Sequence, residues 1–370
     1  MIYNVFFAAI AGLGVFTIGD ERLRRFLFYI ILVFIFVFVA FRFDVGCDWG
    51  GYEIHYERSS DLNLSEVFSR REVSFWLLLV ILNGLNLPYP YLNVVSAGLF
   101  FFGIYYLAQR QPDPLAFLVL SFPVLVMGIP MSATRQALAS GILCFAFVAF
   151  NDRKLVKYLL LVAVATTFHA STIVFFVLAP FIVFGVGNRR FITAASVAVV
   201  SILYIVSMGI FDPYTELYIG THHDAAGGPV RVAAVATTGL AFLVFLRRRW
   251  AVLFPQDYNL IVLGSALMVL NLGFVFISSV IGDRFGYYLS LIQLIIMCKA
   301  YTMFRPDEYG RNILFLIPYL MGGAMLLGWS QLSWIFSDCY GDYKTWLQSG
   351  ITGRGAIPFL DVLSRRFPWV

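Results

Sequence analysis

Charged side chains are scarce in this 370-residue sequence. Asp, Glu, Lys and Arg make up 13% of the residues, hydrophobic residues make up 60%, and the mean hydropathy is +0.83. A water-soluble domain usually has about a quarter of its residues charged. The scarcity of charge therefore excludes a soluble fold and indicates an integral membrane protein.

Cysteine and histidine are also rare, with four residues of each. Cys47, Cys144, Cys298 and Cys339 show no CxxC or metal-type spacing, so we expect neither a disulfide framework nor a zinc site. The motif "THHD" at 221–224 could suggest a metal, but adjacent side chains point apart and no further ligand cluster is evident. The sequence predicts no metal and no cofactor.

Long linkers and internal repeats are lacking as well. The sequence therefore predicts one membrane domain over 1–331, with outward loops at 42–72 and 212–229, and an extracytoplasmic tail over 332–370. The net charge of +5 resides mostly in short loops and does not indicate a nucleic-acid partner.

Long apolar runs are present from end to end. The run at 26–41 is apolar on every face, which excludes the alternating strands of a barrel and predicts an all-α, polytopic fold. The sequence predicts about twelve spans, at 2–18, 26–41, 73–87, 91–108, 115–130, 136–150, 155–183, 191–211, 230–246, 258–281, 285–304 and 311–331.

Lys and Arg in the short loops predict the orientation of these spans. The motif "RLRR" at 22–25, Arg189 and Arg190, the arginines at 247–249 and the 305–311 turn fall on one side, which should be cytoplasmic. The motif "RKLVK" at 153–157 then lands outside, unless 155–183 is a broken hairpin and an earlier segment fails to cross.

Ionisable groups near apolar spans cost free energy and usually mark a cavity or a functional site. After Gly46, helical spacing from Asp48 would place Tyr52, His55 and Tyr56 on one face, where aromatic rings could stack on sugars. The alternative is an interfacial amphipathic helix. Glu72, just before a span, could be functional or simply solvated.

Two arginines stand out. Arg135 follows Pro130 without an acidic residue nearby, and such a guanidinium suits a phosphate or diphosphate. A snorkelling arginine at the interface is the alternative. Arg284 has the same character, although Asp283 beside it could be its partner.

His169 lies near the middle of the apolar segment 155–183, among threonines and Ser171. An imidazole there could remove a proton from an attacking hydroxyl, hold a phosphate when charged, or simply form an interhelical contact.

Five segments in order, "FRFDVGCDWGGY", "REVSFWLL", "SATRQALASGI", "KYLLLVAVATTFHASTIVFF" and "GDRFGYY", resemble the EpsG-type branch of the Wzy polysaccharide polymerases over about residues 40–290. The family pattern is an R-x-x-V-G-x-D-x-x-x-Y stretch, an R-Q-x-x-A helix and an F-H-x-S segment. The positions that match are Arg42, Gly46, Asp48, Tyr52, Glu72, Arg135, Gln136, His169, Ser171 and Arg284, followed by Tyr287 or Tyr288. The tail after Gln331 fits the family loosely, and no role is assigned to it.

The resemblance implies extracytoplasmic polymerisation of repeat units carried on undecaprenyl diphosphate, which builds an exopolysaccharide, capsule or O-antigen. A multi-pass protein of the bacterial inner membrane with a GT-C-like architecture, in contact with membrane lipid, is the corresponding expectation. Because no large soluble domain is evident, we expect any chain-length regulator to be a separate partner. The candidate catalytic residues are His169, Asp48 and Glu72. The candidate substrate-binding residues are Arg42, Tyr52, Arg135, Gln136, Ser171, Arg231, Arg284 and Tyr288.

The chemistry expected of these residues is an inverting, metal-independent glycosyl transfer. Arg135 and Arg284, with Arg42 or Arg231 as helpers, would stabilise the departing diphosphate. His169, or Asp48 as second choice, would take the proton of the acceptor hydroxyl. Two alternatives stay open at this point, an O-antigen ligase and a flippase or transporter of lipid-linked oligosaccharides.

Overall fold

The computed structural model describes residues 2–186, 190, 192–198, 200, 225, 227–305 and 309–349. Most of these residues are helical, and one isolated β-bridge joins Arg42 and Thr345. The helices are α1 Ile2–Phe16, α2 Glu21–Ala40, α3 Trp49–Arg58, α4 Leu64–Ser69, α5 Val73–Gly84, α6 Tyr91–Ala108, α7 Pro114–Ser121, α8 Thr134–Asn151, α9 Leu155–Phe168, α10 Ala179–Phe184, α11 Gly228–Ala241, α12 Arg247–Leu253, α13 Tyr258–Val275, α14 Ser279–Ala300, α15 Tyr309–Leu332, α16 Trp334–Tyr340 and α17 Trp346–Ser349.

Shorter helical turns extend several of these helices. Two π-helical turns, Phe122–Val126 and Phe242–Leu246, continue α7 and α11, and a 3-10 helix over Ala170–Leu178 precedes α10. Within the described ranges, six helices are long and apolar enough to cross a membrane. They are Glu21–Ala40, Tyr91–Ala108, Gly228–Leu253, Tyr258–Val275, Ser279–Met303 and Gly310–Leu332. The expectation of an all-α, polytopic membrane protein is confirmed.

The charged and polar groups gather at two opposite ends of the helices. At one end, Arg24 Nη2 contacts Asp113 Oδ2 at 2.5 Å, and Tyr301 OH donates to the same oxygen at 2.9 Å. Asp257 there is bonded to Lys299 and, at 2.9 Å, to Asn151 Nδ2. We call this the Arg24 end, and the opposite end, which holds Asp48, Glu72, Arg135, His169 and Arg284, the Glu72 end.

The segment 155–183 is a broken hairpin rather than one span. Helix α9 stops at Phe168, His169 is extended (φ −150°, ψ 115°), and the 3-10 helix returns beside α9, where Tyr158 OH donates to Phe175 O at 2.5 Å. Gly185, which follows α10, lies beside Asn259 in the first turn of α13. The chain has therefore returned to the end at which α9 begins. Lys154 therefore lies at the Arg24 end with the other basic loops.

The segment 73–87 does not carry the chain to the Arg24 end. Phe75, in the first turn of α5, packs on Tyr52, with ring centroids 5.7 Å apart. After α5, Leu87 O accepts from Tyr56 OH, and Tyr89 OH donates to Trp49 O at 2.9 Å. The chain thus returns to α3 before α6 begins. The prediction of a span at 73–87 is wrong, because the chain leaves and re-enters the helices at the same end, beside α3.

The expectation about cysteines is wrong in part. Cys47 and Cys339 form a disulfide bond at the Glu72 end, across 292 positions of sequence, whereas Cys144 and Cys298 are free and buried. A pair so distant in sequence has no spacing pattern by which it could be recognised.

Helix α8 is held in place by close contact with α6. A Cβ atom on Gly103 would lie 2.2 Å from Gly141 O, and one on Gly141 would lie 2.6 Å from Leu99 O. Small residues allow two helix backbones to approach this closely. The contact fixes the helix whose first turn carries Arg135.

Candidate active site

Glu72 is the centre of the polar cluster at the Glu72 end. It lies at the N-terminus of α5, its residue is 4% exposed, and its side chain does not cap the helix. Its Oε2 accepts a hydrogen bond from Arg135 Nη1 at 2.6 Å. Its Oε1 lies 2.7 Å from His169 Nδ1 and accepts from the Ala170 backbone N–H at 3.0 Å. One carboxylate therefore joins α5, α8 and the break after α9.

Burial alone would raise the pKa of Glu72. The hydrogen bond from His169, the charge of Arg135 and the Ala170 N–H act in the opposite direction and together lower this pKa to about 2. Glu72 is therefore an anion at every physiological pH. An ionised carboxylate is an acceptor only, so both side chains that contact it act as donors.

Arg135 lies in the first turn of α8, after the turn that contains Pro130. Its guanidinium lies over the rings of Tyr52 and Phe75, 5.6 and 5.5 Å from their centroids, and its backbone N donates to Tyr52 OH at 3.3 Å. The side chain is 31% exposed, and Nε has no hydrogen-bond partner among the described residues.

The expectation that Arg135 is unpaired is wrong, since Glu72 pairs with it from 63 positions away. The pair uses one terminal nitrogen, and a guanidinium has five N–H donors. Arg135 therefore has donors left for a second anion while Glu72 fixes its orientation.

His169 lies at the break in the 155–183 hairpin, where hydroxyl side chains satisfy the backbone. Thr166 Oγ1 donates to Val162 O at 2.9 Å, and Thr172 Oγ1 donates to His169 O at 2.9 Å. Local bonds of this kind compete with the regular helix and stabilise the interruption. Because Nδ1 donates to Glu72, Nε2 is the unprotonated nitrogen of the neutral ring and can accept a proton.

Arg284 and Asp48 form a second, more open ion pair at the same end. Arg284 Nη2 lies 3.3 Å from Asp48 Oδ2, and the two side chains are 33% and 30% exposed. Gln136 Nε2 donates to Arg284 O at 2.6 Å, and the Asp48 backbone N donates to Ser132 Oγ at 3.3 Å. These bonds tie α14 and the 42–48 loop to the start of α8, next to Arg135.

Ser171 and Tyr288 complete the cluster. Ser171 Oγ lies 3.0 Å from Tyr288 OH, and Tyr288 is fully buried one helical turn after Arg284. The structure thus brings together nine sequence-predicted candidates: Asp48, Tyr52, Glu72, Arg135, Gln136, His169, Ser171, Arg284 and Tyr288.

Two other candidates lie in surroundings of their own. Arg42 is 2% exposed and donates to the backbone oxygens Val39 O at 3.0 Å and Val45 O at 3.1 Å, so it holds the turn after α2. Arg231 makes a bidentate pair with Asp283, with both N···O distances 2.8 Å. Asp283 is therefore the partner of Arg231, and Arg284 pairs with Asp48 instead.

Some features of the cluster had no signal in the sequence. The Ala170 N–H that binds Glu72 is a backbone group, and the Cys47–Cys339 bond next to Asp48 joins distant segments. The described residues hold no group of three or more His, Cys, Asp or Glu side chains that could bind a metal. The "THHD" motif at 221–224 lies outside the described residues.

The helices and the cluster define a multi-pass membrane protein with a charged site at one end of its helices, built on a glutamate shared by an arginine and a histidine. A family model described as the EpsG family matches residues 25–344, so the chain belongs to the EpsG family. This is a family of Wzy-type and exopolysaccharide polymerase-like proteins, which supports a polysaccharide polymerase-type function. Neither a curated protein nor a solved structure matched the chain.

Proposed function

We propose that this protein is a membrane-embedded glycosyltransferase that joins undecaprenyl-diphosphate-linked oligosaccharide repeat units into a polysaccharide. The observation that carries the proposal is the Glu72 cluster, in which a buried carboxylate orients both an imidazole and a guanidinium. A base and a cation side by side are what transfer of a sugar from a diphosphate to a hydroxyl requires.

In the proposed reaction, His169 Nε2 takes the proton of the acceptor hydroxyl as its oxygen attacks C1 of the donor sugar. The bond from C1 to the diphosphate oxygen breaks, and its electron pair leaves with the diphosphate. Glu72 keeps the imidazole in the required tautomer and stabilises the imidazolium, as a carboxylate does in a hydrolase triad. A single displacement inverts the anomeric centre.

The departing diphosphate gains negative charge, and Arg135 and Arg284 are the cations assigned to it. Both side chains are about one-third exposed, and both are already oriented by a carboxylate. Planar guanidinium groups match phosphate oxygens bidentately, so this assignment needs no metal.

We infer further that the Glu72 end faces the cell exterior or periplasm, that about twelve passes in a GT-C-like arrangement span the inner membrane, and that the tail over 332–370 is extracytoplasmic. Two observations support the orientation. Disulfide bonds persist in oxidising compartments, and Cys47–Cys339 lies at the Glu72 end. The short basic loops around Arg24 and Lys154 lie at the opposite end, as the positive-inside bias requires for a cytoplasmic face.

The test uses the purified full-length protein in nanodiscs and a synthetic undecaprenyl-diphosphate-linked repeat unit. Growth of a ladder on the lipid carrier, unchanged by a chelator and lost in Arg135→Ala, is the expected result. Transfer only when lipid A core is added would replace the polymerase with a ligase. Movement of the lipid across liposomes without sugar joining would replace it with a transporter.

A further inference from the structure

Residues 334–349, which follow the last long helix, are bound tightly to the loop that carries Asp48. We call this segment the C-terminal strap. The Phe43 N–H donates to Lys344 O at 2.9 Å, and the Gly46 N–H donates to Cys339 O at 2.8 Å. The Cys47–Cys339 disulfide lies beside these bonds, directly before Asp48. Both ends of the 43–48 loop therefore depend on the strap.

The strap is anchored in the core of the protein rather than on its surface. Tyr343 stacks on Phe38, with ring centroids 4.3 Å apart, and its hydroxyl donates to Phe38 O at 2.8 Å. Tyr340 is 1% exposed, and its hydroxyl donates to Met127 O at 2.8 Å. The strap therefore fixes the end of α2 and also the turn that precedes α8.

The 43–48 loop and the turn before α8, both of which the strap contacts, also pack directly against each other. Gly46 has φ +104°, and a Cβ atom there would lie 2.0 Å from Met131 O, so only glycine fits. Two residues later, the Asp48 N–H donates to Ser132 Oγ at 3.3 Å. Contacts between the 43–48 loop and the turn before α8 thus set the position of Asp48 relative to Arg135, and the strap binds both of these segments.

We propose that the strap and its Cys47–Cys339 disulfide are positioning elements that hold Asp48 against Arg284, and that full affinity for a lipid diphosphate requires the oxidised bond. Without the bond, the 43–48 loop keeps its hydrogen bonds and its packing but loses its covalent connection to the strap, and Asp48 loses its fixed distance to Arg284. The proposal rests on the proposed function, because its ligand is the diphosphate. Its chemistry is simple: two electrons and two protons convert the disulfide to two thiols.

The experiment measures binding of undecaprenyl diphosphate to the full-length protein in nanodiscs, before and after reduction by tris(2-carboxyethyl)phosphine, which is itself oxidised to the phosphine oxide. We expect reduction to weaken binding about tenfold, since misplacement by about 1 Å in a binding site has effects of at least this order. Cys47→Ser/Cys339→Ser should bind weakly with or without the reductant. Cys144→Ser/Cys298→Ser, which removes the two buried free thiols, should respond to the reductant as the wild type does.

A merely stabilising disulfide would lower the melting temperature but leave the affinity of the folded protein unchanged, and that result would overturn the proposal. The effect should also be coupled to Asp48. In Asp48→Asn, reduction should change affinity by less than about twofold, because contacting groups act non-additively. If reduction weakens binding to Asp48→Asn as much as binding to the wild type, the strap does not act through Asp48, and the proposal is contradicted.

If Cys47→Ser/Cys339→Ser does not fold, reduction of the folded wild type still gives the answer. If the oxidised wild type does not bind undecaprenyl diphosphate, the proposed function itself fails. Binding that is equally tight in both redox states contradicts only the role of the strap.

Discussion

Arg24 and Arg135, at opposite ends of the protein, are similar ion pairs with different surroundings. Each lies in the first turns of a helix and contacts a carboxylate of a distant segment, Asp113 at 2.5 Å or Glu72 at 2.6 Å. Arg24 also donates to Gly14 O at 2.5 Å, and its side chain is 9% exposed. Arg135 is 31% exposed, and its contact with Glu72 uses one of its two terminal nitrogens.

The difference separates a structural pair from a site. At the Arg24 end the carboxylates of Asp113 and Asp257 are enclosed by donors, as Asp257 is by Lys299 and Asn151. At the Glu72 end, one carboxylate orients two basic side chains, and one of them, Arg135, is 31% exposed. A buried ion pair adds little to stability over apolar packing, so exposure and remaining donors identify function better than the pair itself does.

The largest effect should follow substitution of the base. His169→Gln keeps a polar side chain but removes the nitrogen that accepts the proton, so kcat for ladder growth should fall by about 10²–10⁴-fold. The matched control is His55→Gln. His55 lies at the same end but packs on Trp76, with ring centroids 5.2 Å apart, and kcat there should stay within about threefold of the wild type.

Steady-state rates with the synthetic repeat unit measure both variants. If His169→Gln retains more than about a tenth of the wild-type kcat, the base is another group, and Asp48 becomes the candidate.

A smaller effect is expected from substitution of Arg135, with Arg24 at the opposite end as its control. Arg135→Gln should lower kcat by about 10²–10³-fold, the loss typical when one donor to a developing anion is removed. Arg24→Gln should lower the melting temperature but leave turnover per folded molecule unchanged, because its donors face only the protein. Equal losses of turnover in the two variants would erase the distinction between the ends.

A still smaller effect is expected from Arg284→Gln, which can be compared with Arg231→Gln at the same end. Arg284→Gln should raise KM for the lipid-linked donor about tenfold, equivalent to one charge-assisted hydrogen bond of ~1.4 kcal/mol. Arg231→Gln leaves Asp283 buried without its bidentate partner, so it should cost about 3–5 kcal/mol of stability. Binding measurements and thermal unfolding separate the two outcomes. A KM effect confined to Arg231→Gln would assign the diphosphate to Arg231 instead of Arg284.

Much of this fold could be predicted from the sequence, because apolar length and the placement of Lys and Arg are local properties. The helical class and the common side of the arginines near 24 and 247–249 follow from them. Apolar composition alone does not reveal the broken hairpin at His169 or the non-crossing α5, since it is the same in a span, a half-span and a return. The position of "RKLVK" at 153–157 is the one signal of both, and it leaves them open as an alternative to a regular path.

For the site, the residue types could be predicted but their pairing could not. Arg135, His169 and Arg284 stood out because each is an ionisable group next to apolar sequence. Which carboxylate meets which cation depends on tertiary contacts. The sequence allows Asp283 as a partner of the adjacent Arg284, but Asp283 pairs with Arg231 across two helices. Arg42 matched the family pattern, yet its donors bind the backbone of its own turn.

The smallest expected effect concerns two pairs of hydroxyl side chains near His169, which have similar distances but join different segments. Ser171 Oγ lies 3.0 Å from Tyr288 OH, and Ser74 Oγ lies 2.7 Å from Thr167 Oγ1. Only the first pair joins the His169 segment to the Arg284 helix. Ser171→Ala should therefore lower kcat/KM about fivefold, as loss of one hydrogen bond of ~1 kcal/mol does, whereas Ser74→Ala should leave it unchanged. If both variants lower kcat/KM equally, the hydroxyl pairs act through general packing, and Ser171 has no special place beside the base.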